Sequence, residues 1–214
     1  NQSIMRTRNM WMLAILFLAF FAVSCDKDDD PEEISEAQIL VEYLESTDGG
    51  YAATDMPAIK TAEHVKTLNT AGTNYIVDIR QPADYEAGHI ENAVNVPASD
   101  VLTYLEGTED DDAKEEIHII CYSGQSAAWA TCLLRLAGYD NVYSMKFGMS
   151  SWHDDFAKSW NDNIGSMYTS EFSPTPHPKG EAGELPVLNT GFETGEEILM
   201  ARIEEMFDAG FGVT

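Results

Sequence analysis

Short runs of apolar and β-branched residues alternate with helical patterns between residues 75 and 158, and this alternation most constrains the fold. Each run is about the length of a buried strand, and polar or glycine-containing segments bound it. The segments between the runs place apolar residues three and four positions apart, as on one face of a helix. Strands that alternate with helices form a parallel sheet covered by helices on both faces. The strands are predicted at 75–78, 93–96, 117–120 and 142–145.

The same patterning predicts the helices and their ends. Thr61 has the side chain of a helix N-cap, and Gly72 suits the position just after a helix. Gly138 suits the same position after the helix that follows the third strand. Helices are predicted at 35–46, 61–71, 99–105, 127–137, 151–158 and 194–207.

Cys121 follows the third predicted strand directly and precedes the helix at 127–137. Ligands of parallel sheets bind at the carboxyl ends of the strands. Backbone N–H groups of the loop and of the helix N-terminus converge there and favour negative charge, so we expect the thiolate rather than the thiol. Because the thiolate is the nucleophilic form of cysteine, we interpret Cys121 as a catalytic nucleophile.

Five motifs lie between residues 57 and 160: Val77–Arg80, Tyr85–Pro97, Cys121–Ser126, Gly138–Tyr139 and Gly148–Trp152. Their order and spacing resemble those of rhodanese-like domains. Each motif alone is weak, and the resemblance depends on all five together. It implies an α/β fold in which a rhodanese-like parallel sheet is flanked by helices on both faces.

The resemblance implies a sulfurtransferase that needs no cofactor. Cys121 would take a sulfane sulfur from a donor such as thiosulfate or a persulfide, and the resulting enzyme persulfide would pass it to a thiol or cyanide. Gly124 lets the loop turn tightly, and successive loop amides can bind an anion. The predicted substrate-binding residues are Arg80, Tyr122, Ser123, Gly124, Gln125 and Ser126.

Two further functions fit the same fold. The domain could be a sulfur carrier with little turnover on small substrates, or a non-enzymatic scaffold, although the intact cysteine loop disfavours the scaffold. The loop also lacks the basic residue of several thiosulfate-using relatives, so the sulfur donor stays open. Arg80 is interpreted as a structural partner of Asp78 or, less favoured, as a contact for an anionic donor.

Phosphatase and metal chemistry are not expected. Related phosphatases grip phosphate with an arginine in the cysteine loop, whereas residues 122–129 contain no Arg or Lys. The histidines His64, His118, His153 and His177 show no ligand spacing, so no metal site is predicted. His89 follows a glycine and is interpreted as bonding the backbone in a turn.

The first 25 residues resemble a bacterial lipoprotein signal. Arg6 and Arg8 precede an apolar run of 14 residues, 10–23, which is too short for a comfortable membrane span. Small residues and Cys25 follow, so we predict a lipid on Cys25; an ordinary secretory signal or an uncleaved anchor is the alternative. The predicted segments are a signal peptide at 1–24, an acidic tether with a short helix at 25–56, the rhodanese-like domain at 57–160 and a linker with a helix at 161–214.

The charge of the chain restricts its partners. The formal net charge is −25, and since no acidic residue and two of the 12 basic ones precede Cys25, the remainder carries −27. Such a chain is not expected to bind nucleic acid, and its membrane attachment must come from lipid. We therefore expect a lipid-anchored protein of a Gram-negative cell envelope, on the periplasmic face or the cell surface, whose other partners are a small sulfur donor and a thiol acceptor.

The C-terminal part breaks the strand–helix alternation. Residues 161–188 are rich in Ser, Pro, Gly and Asn and are predicted to be a linker or wrapping segment. The helix predicted at 194–207 resembles the one that precedes the first predicted strand. It is either a packing helix of this domain or the beginning of a second rhodanese-like domain in a longer protein.

Overall fold

The computed structural model describes residues 34–46, 58–108 and 116–212. Within these ranges the chain forms a sheet of five parallel strands in the order β1-β5-β4-β2-β3. The strands are β1 (Ile59–Lys60), β2 (Asn74–Asp78), β3 (Val94–Asn95), β4 (Glu116–Ile120) and β5 (Val142–Met145). The predicted fold class and all four predicted strands are confirmed. The short edge strand β1 was missed, because two residues show no periodicity.

Helices cover both faces of the sheet. Ser35, Thr61 and Thr194 each cap a helix by accepting a hydrogen bond from a backbone N–H in its first turn. Gly72 adopts the left-handed conformation predicted for the end of its helix. The α-helices are α1 (Glu36–Glu45), α2 (Ala62–Ala71), α3 (Pro82–Ala87), α4 (Val101–Glu106), α5 (Gln125–Leu136), α6 (Lys158–Asn163) and α7 (Gly195–Ala209).

The helix predicted at 151–158 is wrong. The chain instead forms 3₁₀ turns at Gly148–Ser151 and Asp154–Phe156, and α6 follows them. His153 is extended between the two turns, and its ring accepts a hydrogen bond from the Asp155 N–H. This local bond competes with a continuous helix. Because α6 runs to Asn163, the irregular segment begins later than the predicted 161.

The two faces of the sheet have separate apolar cores. Cys121 packs on one face with the buried residues of α4, α5 and α7. The other face is covered by α2 and by the segment that follows β5. The second core contains Val65, Ile76, Ile90, Ala93, Ile120, Met145 and Met149. Residues next to each other on β4 therefore belong to different cores, since side chains alternate along a strand.

Helices α1 and α7 join the first of these cores. Leu199, Ile203 and Phe207 of α7 are buried there, and Tyr43 of α1 packs against the same cluster. The Glu36 carboxylate of α1 accepts hydrogen bonds from the backbone N–H groups of Thr190 and Gly191, at 2.7 and 2.9 Å. The apolar core therefore includes residues outside the predicted segment at 57–160, and α7 packs against it.

The predicted signal peptide and Cys25 lie outside the described residues, as does most of the acidic loop that precedes β4. Among the described residues, no helix combines the length and the apolar character needed to cross a bilayer. Lipid attachment, the envelope location and a second domain stay predictions.

Replacing Phe207 tests whether α7 is integral to the domain. Phe207 is 2% exposed, and its ring packs edge-on against Trp129 with the ring centroids 5.3 Å apart. We expect Phe207→Ala to lower the free energy of unfolding by about 3 to 5 kcal/mol, since it leaves a cavity in the shared core. Urea unfolding followed by circular dichroism measures the change. Met206→Ala is the control, because Met206 is 37% exposed and should change stability little. Equal effects of the two substitutions would contradict the packing described for α7.

Candidate active site

The carboxyl ends of β2 and β4 bring two predicted site residues together. Asp78 pairs with Ile120 in the parallel register, and the Ile79 N–H donates to the Ile120 carbonyl at 2.9 Å. Residues just beyond these ends are therefore neighbours. The Arg80 guanidinium lies 5.1 Å from the ring centroid of Tyr122, within the range of a cation–π contact.

The Cys121 sulfur receives two backbone hydrogen bonds. The N–H of Gly124 donates to Sγ at 3.1 Å, and the N–H of Ala127 donates at 3.4 Å. Cys121 is only 4% exposed, so these amides act on the sulfur with little competition from water. Ala127 lies in the first turn of α5, where N–H groups have no partner within the helix. The convergence of amides on the cysteine that the sequence predicts is confirmed.

Gly124 allows the loop to lie against the end of β5. Its φ is +89°, and it is the residue immediately before α5. A Cβ at this position would lie 3.0 Å from the Phe147 nitrogen and 3.3 Å from the Met145 carbonyl oxygen. Both neighbours are backbone atoms, so another residue would displace the main chain that shapes the loop.

A second segment holds the loop from the side of β5. The Met149 N–H donates to the Cys121 carbonyl at 2.8 Å, and the Ser150 N–H donates to the Tyr122 carbonyl at 2.9 Å. A Cβ on Gly148 would lie 2.2 Å from the Cys121 carbonyl oxygen, which makes glycine necessary. The backbone of residues 148–150 therefore positions the cysteine loop. Strand–helix patterning does not reveal this role, and only the motif at Gly148–Trp152 indicated that the segment matters.

Arg80 is paired with Asp78 in the buried wall of the site. Its Nε and Nη2 donate to the Asp78 carboxylate, with Nη2 2.6 Å from Oδ2. Nη2 also donates to the Gly88 carbonyl at 2.7 Å. The structural pair proposed from the sequence is confirmed. Nη1 is also buried, yet it has no hydrogen-bond partner among the described residues.

Tyr122 borders the site on the solvent side. It is 39% exposed, and its hydroxyl donates to the Asp84 carboxylate at 3.2 Å. Partial burial and the Asp84 carboxylate raise the pKa of Tyr122 above its usual value, so the phenol is neutral at physiological pH. Tyr122 therefore offers this site a neutral hydroxyl and an aromatic face.

An open cleft of about 1000 Å³ lies beside the loop. Three predicted site residues line it: Tyr122, Ser123 and Gln125. Phe156, Trp160 and Ile164 add apolar surface. The charged side chains of the cleft are Asp155, Lys158 and Asp162, and the Lys158 ammonium is bonded to Asp162. The cleft therefore offers a mixed surface without an excess of positive charge.

The remaining predicted residues lie in or beside the loop. Gly124 and Ser126 are half-buried and are not among the residues that line the cleft. No disulfide joins Cys121 to Cys132, which lies within α5. The His89 ring bonds the Tyr85 carbonyl at 2.9 Å, as predicted for a residue that bonds the backbone in a turn.

The structure also gathers residues that sequence spacing did not connect. His64, Glu116 and His118 meet at the amino end of β4, with their ligand atoms within 4.8 Å of one another. His64 and His118 lie on different elements far apart along the chain, so only the packing of α2 on the sheet shows their proximity.

The chain resembles several solved structures over slightly less than half of its length. A rhodanese-related protein from Thermoplasma volcanium is 25% identical, with a TM-score of 0.39, and the match covers 45% of this chain and 90% of that one. The human single-domain sulfurtransferase is 22% identical, with a TM-score of 0.39, over 44% of this chain and 94% of that one.

A protein of unknown function from Rhodopseudomonas palustris, a possible tyrosine phosphatase, is 17% identical, with a TM-score of 0.41. The match covers 63% of this chain and 96% of that one.

A family model matches the central part of the chain. Residues 61–155 match the family model of the rhodanese-like domain. The matched range contains β2 to β5, the cysteine loop and residues 148–150, which position that loop. The parallel sheet with helices on both faces agrees with this assignment. Residues 61–155 are therefore similar to the rhodanese-like domain.

Proposed function

We propose that this protein is a sulfurtransferase in which Cys121 carries the transferred sulfur as a persulfide. The observation that carries the proposal is the pair of backbone hydrogen bonds from Gly124 and Ala127 to the Cys121 sulfur at the end of β4. Such donors favour a negatively charged sulfur before and after the transfer. The family of the domain supports the same chemistry.

The reaction has two steps. The Cys121 thiolate attacks the sulfane sulfur of the donor, a bond forms between the two sulfurs, and the rest of the donor leaves with the electron pair of the broken bond. With thiosulfate the leaving group is sulfite, and with an organic persulfide it is a thiolate. The acceptor, a thiolate or cyanide, then attacks the outer sulfur. Cys121 leaves as the thiolate, and the product is a new persulfide or thiocyanate.

Because Cys121 is buried, the outer sulfur of a Cys121 persulfide is easier for an acceptor to reach than Sγ. The residue is 4% exposed, so an acceptor has little access to Sγ itself. In the persulfide, the outer sulfur lies about 2 Å beyond Sγ. This extension would bring the reactive atom towards the cleft bordered by Tyr122 and Ser123. The loop amides would then stabilise the charge that moves between the two sulfurs.

The charges around the cleft favour a persulfide donor over thiosulfate. Lys158 is bonded to Asp162, and Asp155 adds a negative charge to the same cleft. Two of the three guanidinium nitrogens of Arg80 are engaged by Asp78. A dianion therefore meets few cations here, whereas the apolar surface of Phe156 and Trp160 suits an organic group. We expect faster loading of Cys121 from an organic persulfide than from thiosulfate.

Intact mass after exposure to donor tests the proposal. We expect the wild-type protein and Cys132→Ser to gain one sulfur atom from an organic persulfide. Cys121→Ser should gain none, because a serine oxygen does not form the persulfide. Cys132 is the matched control, since it is the other cysteine among the described residues. Loading of Cys121→Ser, or failure of the wild type to load from both donors, would contradict the proposal.

Turnover separates an enzyme from a sulfur carrier. A sulfurtransferase should release thiocyanate repeatedly when cyanide is added with the donor, and this activity should be absent in Cys121→Ser. A carrier would release about one equivalent of thiocyanate per protein and then stop. Colorimetric measurement of thiocyanate against time distinguishes the two outcomes.

The role of the amides can be tested with proline. Ala127→Pro removes one N–H that donates to Sγ, and proline is tolerated in the first turn of a helix. We expect the alkylation rate of Cys121 by iodoacetamide at neutral pH to fall about tenfold, which corresponds to the loss of one hydrogen bond to a charged group. The rate is measured by intact mass, with the protein also carrying Cys132→Ser.

Ser126→Pro is the matched control for this substitution. It places proline one residue earlier in the same turn, at a position whose N–H makes no hydrogen bond to the sulfur among those that the structure shows. We expect its alkylation rate to stay close to that of the parent protein. Equal rates in the two proline variants would show that the Ala127 amide does not activate the cysteine.

A further inference from the structure

Three side chains at the amino end of β4 converge on one carboxylate oxygen. Oε2 of Glu116 lies 2.8 Å from Nε2 of His64 and 2.9 Å from Nε2 of His118. One ligand atom from each residue lies within 4.8 Å of the others. We propose that His64, Glu116 and His118 form a binding site for a divalent transition-metal ion of the zinc type.

The fold itself brings the three ligands together. Glu116 and His118 are two residues apart on β4, so their side chains lie on the same face of the sheet. His64 is in the first turn of α2, and the next residue, Val65, is buried in the core of that face. The site therefore depends on the packing of α2 against β4.

The three side chains are of types that bind zinc. The His118 side chain is fully buried and that of Glu116 is 14% exposed, so water competes little for their ligand atoms. Two imidazoles with one carboxylate are a known ligand set for zinc.

Asn74 provides a second, independent observation. Its amide lies 3.2 Å from Nδ1 of His118, and its Oδ1 atom is buried without a hydrogen-bond partner among the described residues. Rotation of this amide by half a turn would direct Oδ1 towards Nδ1–H of His118, in exchange for the 3.4 Å hydrogen bond that Nδ2 donates to the Val65 carbonyl. The Nε2 lone pair of His118 would then be available to a metal, as in sites where a carbonyl orients the ligating histidine. The partnerless oxygen is thereby explained.

Lys60 is compatible with a metal on Glu116. Its ammonium bonds Oε1 at 2.7 Å, whereas both histidines face Oε2. Glu116 can therefore bind a metal through Oε2 while Lys60 holds the other oxygen. Lys60 also lies 4.2 Å from the ring centroid of Tyr143, which keeps it in place.

Only a small rearrangement would admit the ion. Tetrahedral zinc with bonds of about 2.0 to 2.1 Å requires ligand atoms about 3.3 Å apart. The two histidine nitrogens are 2.8 and 2.9 Å from Oε2, so each of these two separations would lengthen by a few tenths of an ångström, and the two nitrogens already lie within 4.8 Å of each other. The His64 side chain is 40% exposed, which leaves it room to move and a fourth position open to water.

The site is separate from the cysteine loop. His118 lies on the face of the sheet that α2 covers, whereas Cys121 packs on the opposite face with α5. They are three positions apart along the chain, a distance of about 10 Å. A metal here would join α2 to β4 and stabilise the folded state without touching the thiol.

Cobalt binding tests the site. The untagged full chain carrying Cys121→Ser is titrated with Co²⁺, and the visible absorption of tetrahedral Co²⁺ is recorded. We expect one equivalent to bind and Zn²⁺ to displace it. His64→Gln should weaken Co²⁺ binding at least tenfold. His153→Gln is the matched control, since His153 is also an exposed histidine beside a carboxylate, and it should bind like the parent. Absence of binding in the parent, or equal binding by both variants, overturns the proposal.

The substitution His64→Cys, which replaces one metal ligand with another, provides a second test of the site. It should retain Co²⁺ binding and add an intense thiolate-to-cobalt absorption band that the parent lacks. The melting temperature should rise with Zn²⁺ in the parent and in His64→Cys but not in His64→Gln. If His64→Cys binds Co²⁺ without the new band, His64 is not a ligand. If Zn²⁺ leaves the melting temperature of the parent unchanged, the cluster is only an ion pair.

Discussion

The parallel pairing of β4 with β2 on one side and β5 on the other is the constraint on which the rest of the structure depends. It places the carboxyl ends of β2, β4 and β5 side by side, where Cys121 follows β4 and Arg80 lies just beyond β2. Because the register aligns Asp78 with Ile120, the guanidinium and the cysteine loop are neighbours. The loop then needs only short backbone contacts to hold its shape.

These contacts come mainly from the main chain. Residues 148–150 after β5 bond the carbonyls of Cys121 and Tyr122, and glycines at 124 and 148 let the two segments approach closely. The sulfur is held by backbone N–H groups instead of a cationic side chain. Such dipoles are fixed by the fold, so they stabilise a negative sulfur without attracting anions over long distances. This arrangement suits a chain whose formal net charge is −25.

The two ends of β4 offer different chemistry. Its carboxyl end leads into a loop of backbone donors around one sulfur, on the face shared with α5. Its amino end presents a carboxylate and an imidazole on the face covered by α2. Alternation of side chains along the strand separates the two groups. A single central strand thus supports both the proposed sulfur site and the proposed metal site.

The sequence by itself determined the class of fold, four of the strands and the position of Cys121. These features depend on the pattern of neighbouring residues, so they can be recognised without knowing which distant segments come into contact. The helix cap at Thr61 was equally visible, since capping depends on one side chain and its own turn. Only the tertiary structure decided what depends on distant segments. These features are the backbone hydrogen bonds from residues 148–150 to the cysteine loop, the packing of α7 on the core and the cation–π contact of Arg80 with Tyr122. The meeting of His64 with His118 belongs to the same class, because their distance depends on how α2 packs on the sheet and not on their spacing in the chain.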